Sequence, residues 1–194
     1  MNPIILKVAF VLLYVATSII RSPHAKRNKQ NIITLDKKTP LEKGLLAGAF
    51  LGMGIIPLVY VLTPFLNFAN YELPMGLQIL GLILFIPTLW LFYRSHKDLG
   101  QNWSVSLEVR ESHTLITNGI YKHIRHPMYT SIWLWVIAQP LVLNNYIAGF
   151  GGLIGFGLLY FLRVGQEEKM MLQEFGEAYE AYKQKTKRLV PGLF

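Results

Sequence analysis

The chain has 194 residues, 52% of them hydrophobic and only 15% charged, with a mean hydropathy of +0.34, which is the composition of a membrane protein rather than a soluble one. It has no cysteine, which excludes disulfides, zinc–thiolate sites, haem attachment and thiol catalysis. The net charge of +8 would suit nucleic acid in a soluble protein; in an apolar chain it reads as topology, with basic loops held on the cytoplasmic side against anionic lipid, and no nucleic-acid partner is expected.

Residues 3–20 form an apolar run interrupted only by Lys7, whose stem is near enough to the end to snorkel. Arg21-Ser-Pro-His follows where a signal peptide would need a small-residue cleavage site, so the run predicts a transmembrane helix. Residues 21–43 carry seven Lys and Arg against Asp36 and Glu42, and read as a solvated cytoplasmic loop, with lipid or substrate contact as the alternative. A second span covers 44–66; its Gly48-xxx-Gly52 pair would let a neighbouring helix approach closely, and Pro57 predicts a kink. The link 67–76 holds Glu72 and no Lys or Arg, as expected of an outer loop.

A third span, 77–93, contains Pro87 and ends in a basic flank followed by Trp103, which reads as an interfacial anchor. The longest polar region, 94–128, includes Val105-Ser-Leu-Glu-Val109, whose alternation fits a short strand or an extended ligand-lining loop, and the turn signal Asn118-Gly119. Pro127 suits the first turn of a fourth span, 129–143, which Pro140 and Asn144-Asn145 end. Segment 146–162 returns as the second arm of a helical hairpin, rich in glycine, with Gly151 and Gly155 as a close-packing seam. From 166 to 185 the apolar residues Met171, Leu172, Phe175, Ala178, Tyr179 and Tyr182 fall at helical spacing, predicting a separate amphipathic surface helix.

Of the 19 Lys and Arg, all but Lys7 fall in 21–43, 94–128 and 163–194. Five transmembrane helices, N-terminus outside and C-terminus in the cytoplasm, satisfy that distribution. The fold expected is therefore all-α and integral to the membrane, a single domain over 1–194 whose catalytic part is about 94–194, with a C-terminal helical hairpin and a cytoplasmic pocket.

Two polar clusters sit at that membrane edge. Gly119-Ile-Tyr-Lys-His-Ile-Arg-His-Pro-Met-Tyr129 places Tyr121, His123, Arg125, His126 and Tyr129 within nine positions; singly each fits an interfacial aromatic or basic decoration. Arg163 and Glu167, four apart at the end of the hairpin, share a helix face. Their simplest reading is an intrahelical ion pair; the sharper one is a polar pocket into which a cation and a carboxylate both point. His123 and His126 lack a neighbouring carboxylate at ligand spacing, so no metal is expected. No P-loop or Gly-x-Gly-x-x-Gly turn is present.

The blocks His113-Thr-Leu-Ile-x-x-Gly119-Ile-Tyr121-x-x-x-Arg125-His126-Pro127-x-Tyr129, Arg163-x-x-x-Glu167-Glu168 and Phe175-Gly176-x-x-Tyr179-x-x-Tyr182 resemble the isoprenylcysteine carboxyl methyltransferase family over 94–194. The resemblance implies S-adenosyl-L-methionine-dependent methylation at the cytoplasmic membrane face, of a lipophilic acceptor that enters from the bilayer among membrane lipids. By position, Glu108, His113, Thr114, Leu115, Ile116, Tyr121, His126, Pro127, Met128, Tyr129 and Glu167 would line the cofactor. Glu108 stands where the eukaryotic enzymes have glutamine. Arg163 would face the methyl acceptor, so Arg163 and Glu167 are the expected catalytic pair. Two other enzyme classes remain open: an N-methyltransferase acting on a phospholipid or other amine, and an NADPH-dependent sterol-type membrane reductase. The reductases share an Arg-His-Pro-x-Tyr block but usually have asparagine where Met128 stands. A non-catalytic membrane adaptor is a further alternative, which gives no reason to maintain so costly a polar cluster.

Overall fold

The computed structural model describes residues 1–28, 33–36, 39–104, 108–110 and 114–193. Four helical stretches are long and apolar enough to cross a membrane: Pro3–Lys26, Pro40–Leu62, Met75–Leu99 and Tyr146–Lys185. Pro127–Leu143 is a fifth apolar helix of 17 residues. At 1.5 Å per residue it is about 25 Å long, a little less than the hydrocarbon thickness.

The first helix, α1 (Pro3–Asn28), runs past the expected boundary at residue 20, and Pro23 is accommodated inside it. A short strand β1 (Ile33–Asp36) follows, then the second span. That span is α2 (Pro40–Phe50), one π-helical turn at Leu51–Ile55, and α3 (Ile56–Leu62). The expected proline kink thus takes the form of a π-turn before Pro57. The extra residue has a structural consequence. Pro57 has no N–H, so the carbonyl of Gly52 is left for an outside donor, and the Gln139 side-chain amide nitrogen, Nε2, donates to it at 2.9 Å. The same amide also reaches the Ala148 carbonyl at 2.6 Å, while its oxygen accepts from Trp135 Nε1 at 3.2 Å. One buried glutamine therefore ties three helical segments together.

The third span, α4 (Met75–Leu99), extends six residues beyond the apolar run. Its C-terminal turn carries Ser95, His96 and Asp98 under the site. Strand β2 (Glu108–Arg110) pairs antiparallel with β1, joining the two basic loops. Residues 105–107, where the alternation begins, lie outside the described residues.

Helix α5 (Pro127–Leu143) and α6 (Tyr146–Lys185) form the expected hairpin. Asn144 closes α5 in the left-handed region (φ 49°), and Asn145 caps α6 by accepting from Ile147 N and Ala148 N. The separate surface helix expected after residue 166 does not exist as such. The hairpin arm runs on as helix through the 166 junction to Gly176, whose non-helical backbone (φ 52°, adopted freely only by glycine) breaks it, and a second helical stretch continues to Lys185.

The glycine seams pack as expected. A Cβ on Gly52 would lie 2.1 Å from the Gly151 carbonyl oxygen, and one on Gly155 would lie 2.6 Å from that of Gly48. The second span and α6 thus meet backbone to backbone, which is how membrane helices gain packing energy without a hydrophobic drive. Helix α1 packs elsewhere: Phe10 lies against Trp135 at 5.6 Å, and Phe85 of α4 meets the same indole at 4.8 Å. With α1 held on α4 and α5, and α2 held on α6, a gap is left between α1 and α2.

Candidate functional site

A cavity of about 600 Å³ fills that gap and continues beneath the polar region. Its mouth is set by the lining residues Ser18 and Arg21 of α1 and Ala47 and Phe50 of α2, all exposed. Toward the α1 N-terminus it is closed where the Tyr14 hydroxyl meets the π-turn; a Cβ on Gly54 would lie 2.8 Å from that oxygen. Leu46, Met53, Ile132 and Leu159 make the middle apolar, and the far end is polar and aromatic.

The polar end is built by four elements. The turn Gly119–Lys122 is pinned by Asp98, whose Oδ2 accepts from Ile120 N at 2.8 Å and Arg94 Nη2 at 3.1 Å. Gly119 (φ 58°) must be glycine here, because a Cβ would fall 2.3 Å from that same oxygen. Tyr121 follows, buried, its ring against the cavity and its hydroxyl toward the Ser95 carbonyl. Burial pushes its phenol far above the ordinary value, so it remains a neutral donor. Pro127 starts α5, and this turn aims His126, Met128 and Tyr129 inward. Trp103 donates to Met128 Sδ at 3.2 Å and is 2% exposed. It is therefore a wall of the site and not the interfacial anchor that its flank suggests.

Helix α6 supplies the charges. Arg163 is buried, with Nε 3.8 Å from Glu167 Oε2 and Nη1 3.7 Å from Glu42 Oε1. It is thus more than an intrahelical pair, since a second carboxylate reaches it from α2. Glu167 also accepts a hydrogen bond from the Tyr129 hydroxyl and lies 3.7 Å from His126 Nδ1. His126 stacks on the Tyr129 ring, centroids 5.3 Å apart, and its Nε2 approaches Glu168 Oε1 at 3.3 Å.

Glu168 holds the site closed. Its carboxylate accepts from Arg125 Nε at 3.1 Å and from Arg188 Nη2 at 2.7 Å. Hydrogen bonding to Glu168 raises the Arg188 guanidinium above its ordinary value. Arg125 also donates to the carbonyls of Lys183 and Thr186. The backbone joins in: Arg125 N and His126 N donate to the Lys187 and Arg188 carbonyls at 2.8 and 2.9 Å. The segment after α6 is thereby strapped to the 124–126 loop. Beyond the Gly176 bend, Tyr179 and Tyr182 are carried over the cavity, with the Tyr182 hydroxyl donating to the Tyr121 carbonyl at 2.6 Å.

Of the residues singled out from sequence, Thr114, Leu115, Ile116, Tyr121, His126, Met128, Tyr129, Arg163 and Glu167 all line this one cavity. Asn102 holds Thr114 in place, its Oδ1 accepting from Thr114 N at 2.8 Å. Pro127 is buried at the helix start and does not line it. His113 and the side chain of Glu108 lie outside the described residues. Sequence reasoning missed Glu42, assigned to a solvated loop although it is 4% exposed. A usable signal was Thr39-Pro-Leu-Glu42, a capping-box pattern that starts a helix and removes Glu42 from the loop; Thr39 does cap Glu42 N at 3.1 Å.

Residues 79–173 match the isoprenylcysteine carboxyl methyltransferase family. Among similar proteins, the protein-S-isoprenylcysteine O-methyltransferase of Dictyostelium discoideum is 35% identical over 100 residues, 48% of this chain and 40% of that one. The human protein of the same name is 35% identical over 92 residues, 47% of this chain and 31% of that one. The chain spans less than half the length of these relatives. A solved structure of a eukaryotic intramembrane Ras methyltransferase superposes with a TM-score of 0.53 at 22% identity, over 82% of this chain and 55% of that one, which shows a shared fold.

Proposed function

We propose that this chain, whose residues 79–173 match the isoprenylcysteine carboxyl methyltransferase family, is a member of it and methylates a carboxylate on a lipidated or lipid-like acceptor. S-Adenosyl-L-methionine is the donor and the cytoplasmic face of a membrane is the place. The observation that carries the reading is the continuity of one cavity from the lipid-facing α1–α2 mouth to the polar end at Tyr121, His126, Tyr129 and Glu167. A lipophilic acceptor and a water-soluble donor need such a shared space with two entrances of opposite character.

The donor set at the polar end fits that cofactor. The rings of Tyr121, Tyr129, Tyr179 and Tyr182 offer faces for a flat heterocycle and for a cation, and Met128 and Met170 add polarisable contact. Glu167, with 26% of its side chain accessible, offers a carboxylate to an ammonium group. When bound, S-adenosylmethionine supplies an electrophilic methyl group. The chain's own residues then have two tasks. Arg163, steadied by Glu42 and Glu167, orients the acceptor carboxylate. The buried aromatic walls exclude water from an in-line displacement that depends on alignment. No residue need act as general base, because a carboxylate is already ionised near neutral pH.

This reading is completed by five membrane helices, with α5 crossing as the short arm of the hairpin, the N-terminus outside and the basic regions in the cytoplasm. The experiment that tests the reaction uses protein in nanodiscs, methyl-labelled cofactor and farnesylated cysteine as acceptor. Label should enter the lipid-soluble fraction and be released as methanol by mild alkali, as a methyl ester requires. Alkali-stable label on a phosphatidylethanolamine acceptor would instead make the enzyme an amine methyltransferase.

A further inference from the structure

Besides Arg163 and the Glu168-paired Arg125, the cavity is lined by a third arginine that the reaction does not use. Arg21 lines it from α1, and its guanidinium lies over the rings of Phe92 and Trp103, 5.5 and 5.7 Å from their centroids. A cation at the end of a membrane helix ordinarily extends outward to water or headgroups. This one remains exposed at the mouth, yet its guanidinium lies over two aromatic faces, and among the described residues no carboxylate pairs with it. Arg163, by contrast, already has two carboxylates beside it.

The surroundings favour a particular kind of occupant. Tyr14, Thr17, Ser18 and Arg21 recur at helical spacing, so they make one polar stripe along α1, and all four line the cavity. The Thr17 and Ser18 hydroxyls currently donate to the Tyr14 carbonyl at 2.8 and 3.0 Å, and both rotate freely enough to face a ligand instead. Across the mouth, α2 presents Leu46, Ala47 and Phe50 and the π-turn presents Met53, an apolar wall. A molecule between them needs an anionic head on the α1 side and hydrocarbon on the α2 side.

We propose that Arg21, with Thr17 and Ser18, forms an anion subsite at the mouth that binds the phosphate or second carboxylate of an amphipathic occupant. The group held there is distinct from the carboxylate presented to Arg163. The inference deepens the methyltransferase reading, naming the acceptor class as a lipid with an anionic group besides the one methylated, and it rests on that reading.

The test titrates three probes into nanodisc-embedded protein by calorimetry: farnesyl monophosphate, farnesol and inorganic phosphate. Farnesyl monophosphate should bind at least about tenfold more tightly than either of the others, the size of one charge-assisted contact. Arg21→Gln should remove that advantage and Arg21→Lys should keep part of it. S-adenosylhomocysteine affinity should be unchanged in both variants, which also shows that they fold. The proposal is overturned if Arg21→Gln keeps the phosphate preference, if farnesol or inorganic phosphate binds as well as farnesyl monophosphate, or if Arg21→Gln weakens S-adenosylhomocysteine instead, which would give Arg21 to the cofactor. Absence of S-adenosylhomocysteine binding in the unmodified protein would fail the methyltransferase reading separately, whatever the phosphate titration shows.

Discussion

Replacing Arg163 by Ala is expected to reduce methyl transfer by about 10²-fold or more while leaving cofactor affinity within about twofold. Its guanidinium is buried between Glu42 on α2 and Glu167 on its own helix, an arrangement that fixes its position in the cavity wall. Arg163→Lys should rescue little, since an ammonium cannot reproduce the planar two-pronged contact with a carboxylate. Glu167→Ala should act differently. Its carboxylate is the group accessible to an ammonium, and its Tyr129 hydrogen bond aligns that ring. Losing it should weaken S-adenosylhomocysteine binding about 10- to 100-fold, the range of a charge-assisted hydrogen bond, and lower turnover with it. Steady-state kinetics on both variants, with cofactor binding measured in parallel, checks the split. Wild-type turnover in both would mean that the reacting groups meet elsewhere.

The second large effect is structural. Glu168→Ala is expected to destabilise the protein by about 3–5 kcal/mol, because it leaves the largely buried Arg125 with carbonyl partners but no carboxylate and leaves His126 without its Nε2 partner. Arg188, 38% exposed, regains water and contributes less to that loss. The strap from 183 to 189 loses its ionic centre, so Tyr179 and Tyr182 are no longer fixed over the cavity. Thermal unfolding in detergent should shift down strongly, and cofactor binding should weaken with it. An unchanged melting temperature would show that the backbone bonds from Arg125 and His126 hold the strap without help.

Much of this was legible in the chain because membrane spans and charge asymmetry are written in composition. The hairpin at Asn144-Asn145 and the glycine seams at Gly48, Gly52, Gly151 and Gly155 fell where spacing put them. Of the cluster from Tyr121 to Tyr129, Tyr121, Arg125, His126 and Tyr129 do share a cavity with Arg163 and Glu167, whereas His123 is exposed and does not line it. What failed did so for local reasons. Hydropathy ends a helix where apolar residues end, yet α1 and α4 run on as helix to Asn28 and Leu99, and the polar Ser95 and His96 of that α4 extension are fully buried. The junction at 163–166 looked like a boundary because polarity changes there, while the backbone bend is at Gly176, ten residues later, where a positive φ permits it. Glu42 and Trp103 were misplaced because a basic loop and a membrane flank are the common settings for such residues. Only the fold brings α2 against Arg163 and sets Trp103 beneath Met128.

The most direct test of the central claim is calorimetry on purified protein, titrating S-adenosylhomocysteine and NADPH separately. Saturable binding of S-adenosylhomocysteine, weakened by Glu167→Ala, with no heat from NADPH, is the result expected of a methyltransferase built around this cavity. Binding of NADPH alone would contradict it and assign the Arg125-His126-Pro127-x-Tyr129 block to a reductase.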